Sequence, residues 1–361
     1  MNCSRRGLSA FPGCPEPHIE QLYWLEDAEG LPALERARGM LGGLGIKEGG
    51  RIGSPEEIPA AELNKSTLLV TGARGEAVHP CRCRRDYLCC GYSSIDLYEG
   101  CSIGCSYCAL QAYLDFGPAV VRADPRPAVA HLRSMALASP GALIRAGSGE
   151  LGDSLLYDPL FDLSRSFIEG LADLPNARFE MKTKSATVDH LLTIEHKGGA
   201  VVGFSVNAPS VCAAEEPGAA PLRHRLEAAR KVSEAGFGLA FHFDPVFADA
   251  FDSGGYTELL EMLAPFHGKV AWASLGTLRY APSLRDCAAP RPWMGAEMLP
   301  GPDGKLRYLM RRRVAIFRAL APAIRETLGA PVYLCMEYAP VWKAVFGCLP
   351  AEVPGLNAIF Q

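Results

Sequence analysis

The chain has 361 residues, 48% of them hydrophobic and 21% charged, a balance that excludes a wholly disordered, collagen-like or coiled-coil protein. With 36 basic and 40 acidic residues the formal net charge is −4, so nucleic acid or an anionic membrane would have to be held by a local patch rather than by overall attraction. No uncharged run stays apolar for the ~20 residues a bilayer needs. Pro12, Pro15 and Glu16 also interrupt the N-terminus before a signal-type apolar stretch forms, so a soluble cytoplasmic protein without a membrane span is expected.

In chain order, residues 1–80 read as a small N-terminal α/β region: a helical stretch over 20–41, a Gly-rich break over 42–53 and a strand over 67–71. From Tyr92 onward, short apolar or β-branched runs alternate with helical patterns, the signature of βα repeats and a parallel sheet. The runs predict strands near 93–99, 142–147, 177–182, 200–206, 237–243 and 269–275. The intervening patterns predict helices over 127–137, 160–171, 187–195, 221–235 and 256–263. Six such repeats predict an α/β fold built on a partial (β/α)6 barrel spanning 81–293. A C-terminal extension over 294–361 would pack on it, with a basic helix carrying Arg311, Arg312 and Arg313 and a strand at 332–335. Barrel chemistry collects at the C-terminal ends of strands. The polar residues expected there are Ser148 and Glu150, Lys182 and Lys184, Ser205 and Asn207, His242 and Asp244, and Thr277 and Arg279.

Thirteen cysteines are present, seven of them between 81 and 108. An odd, clustered set points to metal ligation or thiol chemistry rather than a disulfide framework. Immediately after the first barrel strand, CSIGCSYC places Cys101, Cys105 and Cys108 in C-x3-C-x2-C spacing. Three thiolates on one tight loop can ligate three irons of a [4Fe–4S] cluster and leave the fourth open, whereas a structural zinc normally takes four protein ligands. Upstream, CRCRRDYLCC adds Cys81, Cys83, Cys89 and Cys90. These are read either as a second ligand group, as a thiol supply to the barrel mouth, or as reduced cysteines with no ligand.

A C-x3-C-x2-C loop following strand one of a βα barrel resembles the radical S-adenosylmethionine (SAM) superfamily. CSYCALQAYLDF, the strand end Lys182-Thr183-Lys184 followed by VDHLL, FSVNAPS, EEPGAAPLRHRLEAARKVSEAGF and SLGTLRY are together similar to the spore photoproduct lyase family of that superfamily. The resemblance implies a barrel of the radical SAM type, a [4Fe–4S] cluster on Cys101, Cys105 and Cys108, and SAM as second cofactor. It also implies a reductase or flavodoxin/ferredoxin-type electron donor. Tyr107 matches the position lying against the adenine. Ser148, Gly149 and Glu150 match the element that receives the SAM amino group, Lys184 and Ser205 match SAM-contacting positions, and Asn207 should share a strand face with Ser205. The implied reaction is cleavage of SAM to a 5′-deoxyadenosyl radical that abstracts hydrogen, in repair of a DNA photoproduct. The competing readings are a radical SAM enzyme for another nucleotide, RNA, a peptide or a small molecule, and a non-catalytic iron–sulfur protein. The repeated polar strand ends argue against the last.

One departure stands out. Characterised members of the family carry a cysteine just after strand two that returns a hydrogen atom to the repaired thymine radical, and here Gly147 to Glu150 contains none. A serine O–H bond is too strong to replace it. By position Cys335 is the alternative donor, with Tyr98 or Tyr107 as slower phenolic ones, while Cys89 and Cys90 are expected at the far end of strand one. Cys335 is nevertheless read first as a buried apolar core cysteine, so poor or no turnover on a spore photoproduct dinucleotide and a different native substrate are expected. Arg82, Arg84, Arg85 and the run Arg311 to Arg313 are read either as phosphate contacts or, as charge runs more often are, as a solvated helix face.

Overall fold

The computed structural model describes residues 17–73, 78–81, 86–114, 117–195 and 197–360; Arg82, Cys83, Arg84 and Arg85 lie outside them. The centre of the molecule is an eight-stranded sheet in the spatial order Val78–Pro80, Ser93–Ile95, Ile144–Ser148, Ala177–Thr183, Ala200–Ser205, Gly238–Val246, Val270–Thr277 and Val332–Leu334. Seven of these strands are parallel and the first is antiparallel to its neighbour. The sheet curls into a half-barrel. Sequences such as AVVGF and VAWASL form its strands because a parallel strand is covered on both faces and is stable only as a near-continuous apolar run. Phe204, Phe241, Phe243 and Leu275 are accordingly fully buried. Helices Arg126–Ala138, Leu163–Gly170, Leu222–Glu234, Gly255–Leu263 and Met310–Leu328 complete the crossovers. The strand in the C-terminal extension is an integral part of the barrel. It pairs with Ala273 to Leu275 and adds a seventh parallel strand.

A second sheet of five strands has the order Lys47–Ile52, Gln21–Leu25, Thr67–Thr71, Ala119–Arg122 and Tyr98–Glu99. The expected strand over 93–99 is thus divided. Ser93–Ile95 belongs to the barrel and Tyr98–Glu99 to the second sheet, so the chain changes sheets just before the cysteine loop. Val78–Pro80 joins the barrel, while the strands at 98–99 and 119–122 complete the N-terminal sheet.

Two expected helices are corrected. Residues 21–25, read as helical, form a strand because both its faces are covered: Leu22 and Trp24 enter the main core, and Tyr23 and Leu25 a smaller one with Ile52, Ile58 and Leu69. The helix begins only at Pro32, whose fixed φ suits a first turn. The stretch 187–195 keeps only one 3-10 turn, Leu191–Thr193. Ser185 Oγ accepts the Thr187 N–H and lies 2.8 Å from Thr187 Oγ1, and Thr187 Oγ1 donates to the Leu155 carbonyl. These side chains occupy the backbone groups a helix start would use. Among the described residues no helix is long and apolar enough to cross a membrane.

Candidate active site

At the C-terminal ends of the strands lies a cavity of about 560 Å³, within the range of small-molecule sites. Cys101, Cys105 and Cys108 line one side. Gly149, Glu150, Asp153, Lys184, Ser205, His242, Asp244 and Cys335 are among the residues lining the rest.

The loop carrying the three thiols is held from outside itself. Gly100 turns into it at φ +86°, a conformation that favours glycine. Ser106 N–H donates to the Glu215 carbonyl at 2.9 Å, Gly218 N–H to the Ile103 carbonyl at 3.0 Å, and the Ser106 hydroxyl to the Glu215 carboxylate. Tyr107 is buried and its hydroxyl donates to Glu216 at 2.5 Å. Glu216 in turn is ion-paired with Arg225, which also donates to the Ser205 carbonyl at 3.0 Å and the Ala220 carbonyl at 2.7 Å. A single buried pair therefore joins the cysteine loop to the fourth strand end.

The donor set fits an iron–sulfur cluster. All three thiols open on one cavity, and ligation requires them as thiolates. Burial pushes the Cys105 thiol up to about 12 and that of Cys101 well above its ordinary value. Cations stand ready to offset this: Lys184 interacts with Cys105 and Cys108, and Lys65 with Cys101 and Cys108. Burial works against the Lys184 ammonium, but Cys105 and Glu216 outweigh it and hold its pKa above the ordinary value.

Opposite the loop, Gly149 sits at φ +104°, and a Cβ there would lie 2.9 Å from Ser154 Oγ and 3.0 Å from Lys182 Cβ. The turn after strand two therefore presents backbone to the cavity. Asp153, unremarked in the sequence, organises the floor. Its carboxylate accepts from Leu155 N and Leu156 N, from the Thr183 hydroxyl at 2.7 Å and from Lys184 N at 2.7 Å.

Five of the expectations concern residues with these partners in the structure. Ser148 is buried and donates to Ser154 Oγ at 2.9 Å. Asn207 is also buried, donating to the Pro245 carbonyl and accepting from Tyr256 at 2.6 Å. Tyr107 is absent from the cavity wall, its phenol spent on Glu216. Tyr98 is likewise spent, donating to Asp158 at 2.6 Å. Of the arginine run, Arg313 is buried against Glu337 at 2.7 Å, Arg312 is paired with Asp252, and the exposed Arg311 lies 3.7 Å from Glu297. Of the upstream thiols, Cys89 contacts Cys81 and Cys90, and none of these three lines the cavity.

Beneath the cavity, buried Glu180 accepts from Trp272 at 3.0 Å, meets His242 at 2.9 Å and faces Lys182 at 3.7 Å. Burial raises its pKa, but His242, Lys182 and Arg145 outweigh this and leave it well below the usual carboxylate range. A carboxyl whose folded pKa lies below its unfolded value of about 4.3 contributes stability above that pH and loses it as pH falls further. Urea midpoints should therefore drop below pH about 4.3, and Glu180→Gln should flatten that slope. Identical slopes in the two proteins would remove Glu180 from the acid response.

A half-barrel with three loop thiols at its mouth defines the radical SAM class of architecture. A model of the spore photoproduct lyase family matches residues 64–275, more than half of the chain, and the protein belongs to that family. It is 31% identical over 215 residues to a spore photoproduct lyase of Geobacillus sp. (strain Y412MC61), covering 59% of this chain and 61% of the relative. It is 43% identical over 94 residues to that of Bacillus subtilis (strain 168), covering 26% and 27%. The matched stretches thus span less than two thirds of these relatives. In three dimensions, a spore photoproduct lyase complexed with dinucleoside spore photoproduct superposes with a TM-score of 0.74 at 23% identity, over 89% of this chain and all of that one. A double mutant of spore photoproduct lyase with bound AdoMet and dinucleoside spore photoproduct gives 0.73 at 22% identity, over 90% and 100%.

Proposed function

We propose that this protein is a radical SAM lyase that repairs a thymine photoproduct of DNA. The observation that carries the reading is the convergence of Cys101, Cys105, Cys108, Lys184, Ser205 and the Gly149–Glu150 turn on one cavity. Family membership and the AdoMet and dinucleoside photoproduct bound by a protein of the same fold support the same cofactor and substrate class. When bound, the cluster and SAM supply a 5′-deoxyadenosyl radical that abstracts hydrogen.

The chain's own groups do the rest. Cys101, Cys105 and Cys108 hold the cluster. Lys184 offers a cation to the SAM carboxylate, Glu150 an anion to its amino group, and Ser205 a hydroxyl from a strand end fixed by Arg225. Tyr107 and Asn207 set the positions of the loop and the strand. A flavodoxin- or ferredoxin-type electron donor in the reducing cytoplasm suits the ten cysteines that are free among the described residues.

The test is anaerobic reconstitution followed by reduction with SAM and dinucleoside spore photoproduct. The expected products are 5′-deoxyadenosine and intact thymines. 5′-Deoxyadenosine without photoproduct conversion would favour another substrate. Lys184→Ala is expected to weaken SAM binding at least about tenfold, a loss of about 1.4 kcal/mol, at unchanged iron content. Unchanged affinity would assign Lys184 to loop support alone.

A further inference from the structure

The family's donor cysteine is missing after strand two, yet a hydrogen atom must still return to the product radical. Among the described residues two cysteines outside the loop triad line the cavity, Cys287 and Cys335. Cys287 is exposed, and its S–H is directed at the carbonyls of Gln111, Ser283 and Leu284. Cys335 differs in every respect. It follows the strand Val332–Leu334, and its N–H is tied to the Leu275 carbonyl at 2.9 Å.

The surroundings of Cys335 are polar, unlike those of an apolar core cysteine. Its thiol bonds to the Asp244 carboxylate, and Arg279, which grips Asp244 at 2.7 and 2.9 Å, brings Nη2 to 4.0 Å from the sulfur. Burial, followed by the Asp244 charge, pushes the thiol pKa up to about 11. The sulfur thus keeps its proton at neutral pH, as a hydrogen-atom donor must.

The backbone is pinned as well. Met336, the next residue, holds φ +58°, a left-handed conformation that a non-glycine residue keeps only when its surroundings enforce it. They do: Glu337 is locked to Arg313 at 2.7 and 3.2 Å, and its carbonyl accepts Leu88 N–H at 3.0 Å. A reacting group held on both sides in this way is preorganised.

We propose that Cys335 is the hydrogen-atom donor that quenches the product radical, on the reading of the site given above. The Cys335 S–H bond breaks homolytically and a C–H bond forms on the repaired thymine. One hydrogen nucleus moves with one electron, the product becomes closed-shell, and the odd electron stays on the Cys335 sulfur. The expectation of poor turnover assumed a thiol in apolar surroundings, and on this assignment it is replaced by competent repair.

The thiol proton exchanges with water, so wild-type turnover in D2O should place deuterium in the repaired thymine. Cys335→Ala and Cys335→Ser, each checked for wild-type iron content, should lower that deuterium at least about tenfold while still forming 5′-deoxyadenosine. Retained deuterium in both variants overturns the assignment, as does its loss instead in Cys287→Ala or in Tyr333→Phe, the cavity-lining phenol. Independently of turnover, iodoacetamide should modify Cys335 in the folded apoprotein at alkaline pH, and dinucleoside photoproduct should protect it; a thiol that stays unmodified does not open on the cavity. If no photoproduct is converted, the substrate reading fails by itself. The donor is then judged on 5′-deoxyadenosine formed without substrate in D2O: its deuterium should fall in Cys335→Ala, and unchanged deuterium overturns the assignment.

Discussion

Replacing any one of Cys101, Cys105 or Cys108 by Ala is expected to abolish cluster assembly and take 5′-deoxyadenosine formation below detection. The three thiols are the whole cysteine complement of the loop, and each faces the cavity. With one removed, two thiolates remain for a cubane that needs three protein ligands to keep one iron open. Nearby Asp153 cannot substitute without giving up its bonds to Thr183 and Lys184. Cys81→Ala and Cys90→Ala, outside the cavity wall, should leave iron content intact. Iron and acid-labile sulfide analysis of anaerobically reconstituted variants checks this. Full iron in any of the three loop variants would contradict it, and loss of iron in Cys81→Ala or Cys90→Ala would transfer ligand duty upstream.

The second large effect is on stability. Arg225 is 1% exposed, and all its bonds go inward, to Glu216, Ser205 and Ala220. Arg225→Ala would leave the buried Glu216 carboxylate without its ion-pair partner, beside Tyr107 and the cysteine loop, with only the weaker Lys184 interaction remaining. Breaking one side of a buried pair typically costs about 3–5 kcal/mol, a large part of the 5–15 kcal/mol that holds a typical domain. In Arg225→Met combined with Glu216→Gln no orphaned charge remains, so part of the loss should return. Urea unfolding of the apoprotein measures both. A cost below about 1 kcal/mol for Arg225→Ala, the scale of an exposed pair, would show that the pair does not brace the site.

The barrel was legible because a parallel strand covered on both faces favours apolar residues, and six such runs alternate with helical patterns along the chain. The cysteine loop was legible because its three thiols are neighbours in sequence. Misreadings arose where distant contacts decide local structure. Gln21–Leu25 is a strand because Thr67–Thr71 and Lys47–Ile52 flank it, and 187–195 loses its helix to hydroxyls that bond locally and to Leu155. The pair Glu216–Arg225 was present in the motif EEPGAAPLRHR, but no spacing rule says that it braces Tyr107 and Ser205. Asp153 and Glu180 were invisible for the same reason, since their partners come from other strands. Ser148 and Asn207 are polar residues at strand ends, but their bonds to Ser154, Pro245 and Tyr256 depend on packing that the sequence does not show. Cys335 was singled out by position as an alternative donor, but the sequence favoured an apolar core cysteine, because its neighbours Asp244 and Arg279 come from distant parts of the chain.

The central claim is hydrogen abstraction from a thymine photoproduct within this cavity. The most direct measurement is a single anaerobic turnover on dinucleoside spore photoproduct deuterated at the carbon that loses its hydrogen. Deuterium should appear in 5′-deoxyadenosine as intact thymines form. Unlabelled 5′-deoxyadenosine with unconverted photoproduct would contradict the claim.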